Sequence, residues 1–161
     1  MIKLNLGCGR DIKEEYINID FKSAKGVNMI LDLNKNVLPF EDNSVDEILC
    51  SHVLEHLVDP YSFMEECHRV LKEGGIICVK LPGNCNCLEH KQTFHTKGYL
   101  DCMINKRNDV DLQHNSNFDL IYRKANRKDI KKIFYRLYQF VSALFVEEYI
   151  FEMKKTKSRR I

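Results

Sequence analysis

The run Leu4-Asn5-Leu6-Gly7-Cys8-Gly9 constrains this chain more than any other stretch. A short apolar segment stops at two glycines one residue apart. Glycine turns a backbone through positive φ at no steric cost and lets it pass close to a ligand. A second apolar segment, Ile17-Asn18-Ile19-Asp20, ends in a carboxylate. Strand, glycine turn, strand and acid together are how an open α/β sheet holds a nucleoside-bearing cofactor, with the acid accepting from ribose hydroxyls.

Residues 2–6, 16–21, 27–31 and 45–50 read as strands, the fourth introduced by the turn Glu41-Asp42-Asn43-Ser44. The spacing predicts a short helix over 52–57. Pro60 opens a longer one, with Phe63, Cys67, Val70 and Leu71 on one face and Gly74-Gly75 as its stop. Residues 76–81 read as a fifth strand. Beyond it, 83–94 and 108–117 read as polar loops, 96–106 as a helix capped by Thr96, and 118–122 as a strand. Residues 128–145 carry a strong amphipathic helix pattern, and 147–153 alternate like a final strand.

Alternating strands and helices predict a mostly parallel sheet in a single domain. Only residues 7–16 separate the first two strands, and 22–27 the next two. Parallel crossovers usually need about a dozen residues or more. One face of the sheet is therefore expected to lack its usual helices, leaving apolar surface to be covered. The candidate covers are the 128–145 helix, a second copy of the chain in a homodimer, or a partner subunit.

Composition narrows the class. The chain has 161 residues and 44% hydrophobic content, enough for a core. No stretch approaches the ~20 apolar residues of a membrane span. The glycine turn comes at residue 7, so no signal peptide is expected. Seven cysteines, an odd number, predict free thiols in a reducing compartment, hence a cytoplasmic protein. The net charge of +2 hides an asymmetry: residues 121–161 hold 12 Lys/Arg against 4 Asp/Glu. A solvated helix face and a basic tail at 154–161 account for this more simply than nucleic acid does, since no aromatic-rich basic motif accompanies it.

Taken in order, the motifs resemble a known family. Leu4-Asn5-Leu6-Gly7-Cys8-Gly9, Asp20, Leu31-Asp32-Leu33, Leu38-Pro39-Phe40, Ser51-His52-Val53-Leu54-Glu55-His56-Leu57 and Arg69-Val70-Leu71-Lys72-Glu73-Gly74-Gly75 resemble the class I S-adenosylmethionine-dependent methyltransferases, nearest their small type 11 branch. The resemblance covers residues 2–96. It implies a Rossmann-like, mostly parallel seven-stranded sheet with an antiparallel last strand. It also implies a cofactor-binding half over 1–82 and a substrate-side half over 83–153. The implied cofactor is S-adenosyl-L-methionine, bound by Gly7, Cys8, Gly9, Asp20, Phe21, Asp32, Leu33, Ser51 and His52. Asp20 would take the ribose hydroxyls and Asp32 the adenine amino group. The implied reaction is methyl transfer to a small-molecule acceptor such as a sugar or metabolite, with His52 first and His56 second as catalytic base.

Three departures qualify the resemblance. Asn5 stands where an acid is common. Within this sequence no helix precedes the first strand, and most of the first crossover is missing. These shortages motivate the alternative of a catalytically silent cofactor-binding scaffold or partner subunit. No Asn-Pro-Pro-aromatic run follows the fourth strand, which argues against methylation of adenine or glutamine amino groups. Ile12 stands where a nicotinamide fingerprint needs its third glycine. Cys85, Cys87, His90, His95 and Cys102 offer zinc-type donors, but their spacing fits no paired-cysteine pattern, and no metal is expected. Glu55 reads as a solvated or capping carboxylate.

Overall fold

The computed structural model describes residues 1–35, 37–82, 118–127 and 146–155. Its strands are β1 (Lys3–Leu6), β2 (Ile17–Asp20), β3 (Met29–Ile30), β4 (Val45–Ser51), β5 (Leu71–Pro82), β6 (Phe118–Arg127) and β7 (Val146–Lys155). One α-helix, α1 (Pro60–Val70), stands among the described residues. The strands form one seven-stranded sheet in the order β3-β2-β1-β4-β5-β7-β6. Pairing is parallel from β3 through β5, and β7 runs antiparallel to both β5 and β6. Strand order reverses between β1 and β4, which opens a crevice at their carboxyl ends.

Register decides which side chains share a face. Leu4 lies beside Ile17 and Ile48, and Leu6 beside Ile19 and Cys50. Farther along, Ile77 pairs with Met153 and Val79 with Phe151. These residues line one face, and α1 packs on it through Phe63, Met64, Cys67 and Val70. Each large side chain fully buried there contributes about 1.5–3 kcal/mol.

The opposite face is mixed among the described residues: Lys3, Asn5, Asn18, Glu47, Cys78 and Glu152 alternate with the core positions, and Leu49, Ile76 and Ile150 share their side. Asn5 and Asn18 are buried, and their amides take the place of the missing helices. Asn5 Nδ2 donates to the Asp11 carbonyl (2.7 Å) and to Asn18 Oδ1 (2.9 Å). Lys13 N–H donates to the same Oδ1 (2.9 Å), and Asn18 Nδ2 donates to the carbonyls of Lys13 (2.9 Å) and Tyr16 (3.1 Å). Asn28 Oδ1 accepts from Asn18 N–H at 2.7 Å. The first two connections are thus pinned by side chains of β1 and β2. A buried amide needs such partners, and Asn5 and Asn18 have them within the first two connections.

Helix α1 starts where its sequence says. Pro60 takes the first position, and Asp59 Oδ1 accepts from the N–H groups of Tyr61 and Ser62, both at 3.1 Å. It ends earlier than Gly74-Gly75 suggests, because Leu71 leaves to pair with Val45 on β4. A Cβ at Gly75 would sit 2.9 Å from the Lys72 carbonyl oxygen and 3.2 Å from that of Asp46, so this glycine permits close packing of strand on strand. Arg69 then ties the helix to the preceding loop. Its Nη2 donates to the Leu38 carbonyl (3.0 Å) and Glu66 Oε1 (2.7 Å), and its Nη1 to the Phe40 carbonyl (3.0 Å). Lys155, buried at the end of β7, donates to Asn43 Oδ1, the His68 carbonyl and the Leu71 carbonyl at 2.7–2.8 Å. Lys154 and Lys155 therefore belong to the last strand.

The expected helices over 96–106 and 128–145, the cysteine–histidine cluster at 85–102 and the tail at 156–161 lie outside the described residues. No helix among the described residues is long and apolar enough to cross a membrane.

Candidate active site

A cavity of about 580 Å³ opens at the carboxyl ends of β1, β2 and β4, a volume within the range of small-molecule sites. Gly7, Asp20, Phe21, Leu31, Asp32, Leu33, Asn34, His52, Val53, His56 and Leu57 line it. Of the residues expected at the cofactor, Gly7, Asp20, Phe21, Asp32, Leu33 and His52 reach it. Cys8, Gly9 and Ser51 do not.

The glycine turn is built against Val53. Gly7 has φ +63°, and a Cβ placed on it would come within 2.4 Å of Val53 Cγ2. Cys8 N–H donates to the Ile19 carbonyl at 3.0 Å, carrying the β1–β2 ladder into the turn. Cys8 itself is buried, and burial raises its thiol pKa. Gly9 meets the site through its backbone: its N–H donates to Asp20 Oδ2 at 2.8 Å. Lys22 N–H donates to Asp20 Oδ1 at 3.1 Å. A carboxylate offers about four acceptor positions, so Asp20 is oriented by two donors and keeps capacity for a ligand's hydroxyls.

Across the cavity the chain leaves β3 into a 3₁₀ turn, Leu33–Lys35. Asp32 is exposed, and its Oδ1 accepts from Asn34 N–H at 3.0 Å. Asn34 Oδ1 accepts from Val58 N–H at 2.9 Å, tying this turn to the segment after β4. Leu31, Leu33, Val53 and Leu57 supply apolar walls. A fixed carboxylate, a close-passing glycine turn, apolar walls and a second carboxylate suit an adenosine-bearing ligand.

Residues 52–57 do not form the expected helix. The β4–β5 ladder runs on to His52, whose N–H donates to the Lys80 carbonyl at 3.0 Å. His52 then takes a left-handed φ of 55°, unusual for a residue with a Cβ. Only a 3₁₀ turn, Leu54–His56, follows. Both histidines still line the cavity. His52 Nε2 lies 3.0 Å from Glu148 Oε1 on β7, and its Nδ1 lies 3.3 Å from Glu55 Oε1. Its pKa is held above the ordinary 6.5, chiefly by Glu55, with burial opposing and Glu148 adding to the rise. Glu55 is not solvated as the sequence suggested. It is 1% exposed, and neither of its oxygens accepts a hydrogen bond from the described residues.

Sequence reasoning missed Leu31, Asn34, Val53 and Leu57 as lining residues, and Glu148 as a partner of His52. The apolar positions flanking the histidines were a usable signal for Val53 and Leu57. Nothing local marks Glu148, which stands 96 residues from His52. Among the described residues no group of three or more Cys, His, Asp or Glu could hold a metal ion.

Comparison with known proteins agrees with this geometry. Residues 6–79 match the family model described as a methyltransferase domain. A probable S-adenosylmethionine-dependent methyltransferase of Mycolicibacterium smegmatis is 31% identical over a match covering 58% of this chain and 44% of that protein. The chain thus spans less than half the length of the curated relatives it matches first. Two solved structures share the fold. One is the putative methyltransferase of Haloferax volcanii in complex with the Trm112 methyltransferase activator, with TM-score 0.66, 13% identity, and 99% of this chain and 84% of that one covered. The other is Burkholderia thailandensis 1,6-didemethyltoxoflavin-N1-methyltransferase with bound S-adenosylhomocysteine, with TM-score 0.65, 11% identity, and 97% and 71% covered. Residues 6–79 thus match a methyltransferase domain, and the described sheet shares the fold of solved methyltransferases.

Proposed function

We propose that this chain binds S-adenosyl-L-methionine in the β1–β2–β4 crevice and transfers its methyl group to a small-molecule acceptor such as a sugar or metabolite. The observation that carries this is Asp20: a nearly buried carboxylate, oriented by two backbone donors, at the wall of a cavity large enough for the ligand. The bound sulfonium supplies an electrophilic methyl carbon. The residues' work is to bind, orient and exclude water. Asp20 accepts from the ribose hydroxyls. Asp32 and the Leu33 backbone face the adenine edge, and Leu31, Leu33 and Leu57 pack its plane. Gly7, Cys8 and Gly9 carry the backbone past the methionyl part, with Phe21 and Ser51 at its flanks. His52 is the base nearest to hand for a hydroxyl acceptor, with His56 second.

A binding role without turnover, as a scaffold or with a partner subunit, is the second reading. One observation favours it: both ring nitrogens of His52 face carboxylates. The likeness to a methyltransferase solved with an activator supports the partner form of that reading. We place the protein in the cytoplasm, in line with buried free thiols at Cys8, Cys50 and Cys67. Incubation with methyl-labelled S-adenosylmethionine and a metabolite extract separates the two readings. Label transfer that disappears in His52→Ala supports catalysis. Cofactor binding with no transfer to any fraction supports the silent form.

A further inference from the structure

His52 is gripped from two sides, by a carboxylate of its own motif and by one from a distant strand. Glu55 comes from the 3₁₀ turn after β4, and Glu148 from β7 at the far side of the sheet. These are the charged groups facing the ring among the described residues; Lys80 of β5 meets residue 52 only through its backbone carbonyl. We propose that Glu55 is the positioning residue of His52, and that Glu148 caps the ring's Nε2 until an acceptor takes its place. This rests on the reading of His52 as the base.

The geometry leaves little else for Glu55 to do. A carboxylate that is 1% exposed is costly unless a cation or donors face it. Neither oxygen accepts a hydrogen bond of good geometry from the described residues, and the ion-pair partner it faces is His52 Nδ1, 3.3 Å away. Facing Nδ1 from the core side, Glu55 keeps the proton on that nitrogen. Nε2 is then the nitrogen turned toward Glu148 and the cavity. A carboxylate on each side favours a proton on both ring nitrogens, the imidazolium form. In that form it has no lone pair and cannot act as a base.

The proton count fixes the order of events. When an acceptor displaces Glu148, the charge that favours the imidazolium is halved and the Nε2 proton passes to solvent. The ring is left neutral, protonated on Nδ1 against Glu55. The Nε2 lone pair then faces the acceptor's hydroxyl and takes its proton as the oxygen–methyl bond forms and the sulfur–methyl bond breaks. Glu148 therefore decides when His52 becomes basic. It stands on β7, which pairs with both β5 and β6.

Imidazole ¹H–¹⁵N spectra across pH test this on the whole chain, with His52→Gln used to assign the ring. In the wild type His52 should titrate above 6.5. Glu148→Gln and Glu55→Gln should each lower that midpoint by about half a unit to one unit. Glu55→Gln should also release the Nδ1-protonated tautomer of the neutral ring, which Glu148→Gln should retain. Glu148 is half-buried, so its variant delivers the reading even if Glu55→Gln does not fold. A wild-type midpoint at or below 6.5, or a midpoint unmoved in Glu148→Gln, overturns the proposal. Calorimetry of the wild type with S-adenosylhomocysteine, run beside it, reads the cofactor assignment separately. A failed titration with intact binding condemns only the carboxylate pair, and the reverse condemns only the cofactor reading.

Discussion

Gly7→Ala is the sharpest test of how the glycine turn is built. The new Cβ faces two costs. At φ +63° an L side chain costs about 1–2 kcal/mol. It would also stand 2.4 Å from Val53 Cγ2, more than an ångström inside the usual ~3.5–4.0 Å carbon contact. Overpacking of that kind costs about 1–3 kcal/mol, so Gly7→Ala should destabilise by about 2–5 kcal/mol. Val53→Ala deletes the offending methyls and alone should cost about 1.5 kcal/mol of lost burial. In the double variant only the φ cost and the Val53 cost remain. The pair should therefore be less than additive by about 1–3 kcal/mol, a coupling expected for side chains in contact. Urea unfolding of the four proteins, with slopes compared to confirm a common unfolded state, measures it. Additivity within about 0.3 kcal/mol would refute the claim that Val53 sets the close approach at Gly7.

Two further outcomes follow from the packing around the site. Asn18→Ala strands the Asn5 amide and the Lys13 N–H; it should cost about 2–4 kcal/mol, and a thermal melt within error of wild type would show that these amides do not replace the missing helices. Glu66 is held below its ordinary 4.5, chiefly by its hydrogen bonds to Arg69. A depressed carboxyl pKa adds stability that is complete above about 4.5 and lost as pH falls through the folded-state value. Acid unfolding should thus shift to higher pH in Arg69→Met, and a variant that keeps the wild-type acid midpoint would contradict the pairing.

Much of this was legible in the chain because it is local. Apolar runs ending in glycine or carboxylate gave β1 and β2 to within a residue or two, the turn at 41–44 gave β4, and the proline after Asp59 gave the start of α1. The carboxyl-edge positions of Asp20 and His52 followed from strand ends, whereas Asp32 was singled out by the family resemblance. Other features were set by tertiary pairing. Leu71 fits the helical stripe of α1 equally well, and only Val45 across the β4–β5 ladder makes it strand. Val27 N–H is taken by a turn to the Ala24 carbonyl and the Asn28 side chain by Asn18, so β3 shrinks to Met29–Ile30. Short crossovers were legible from strand spacing, but the bonds by which Asn5, Asn18 and Asn28 hold them were not, since they join residues up to 13 apart in sequence. Glu55 looked like surface charge because its helical position was wrong: once 52–57 becomes a strand extension and a 3₁₀ turn, that side chain points inward.

The claim on which the rest depends is that Asp20 holds the sugar of an adenosyl ligand in this crevice. Calorimetric titration with S-adenosylhomocysteine, on the wild type and on Asp20→Asn, addresses it most directly. Charge-assisted hydrogen bonds contribute about 1.5–3 kcal/mol, so the wild type should bind and Asp20→Asn should weaken binding about 10- to 100-fold. Absence of binding heat from a folded wild type at millimolar ligand, or equal affinity in the two proteins, would contradict the account.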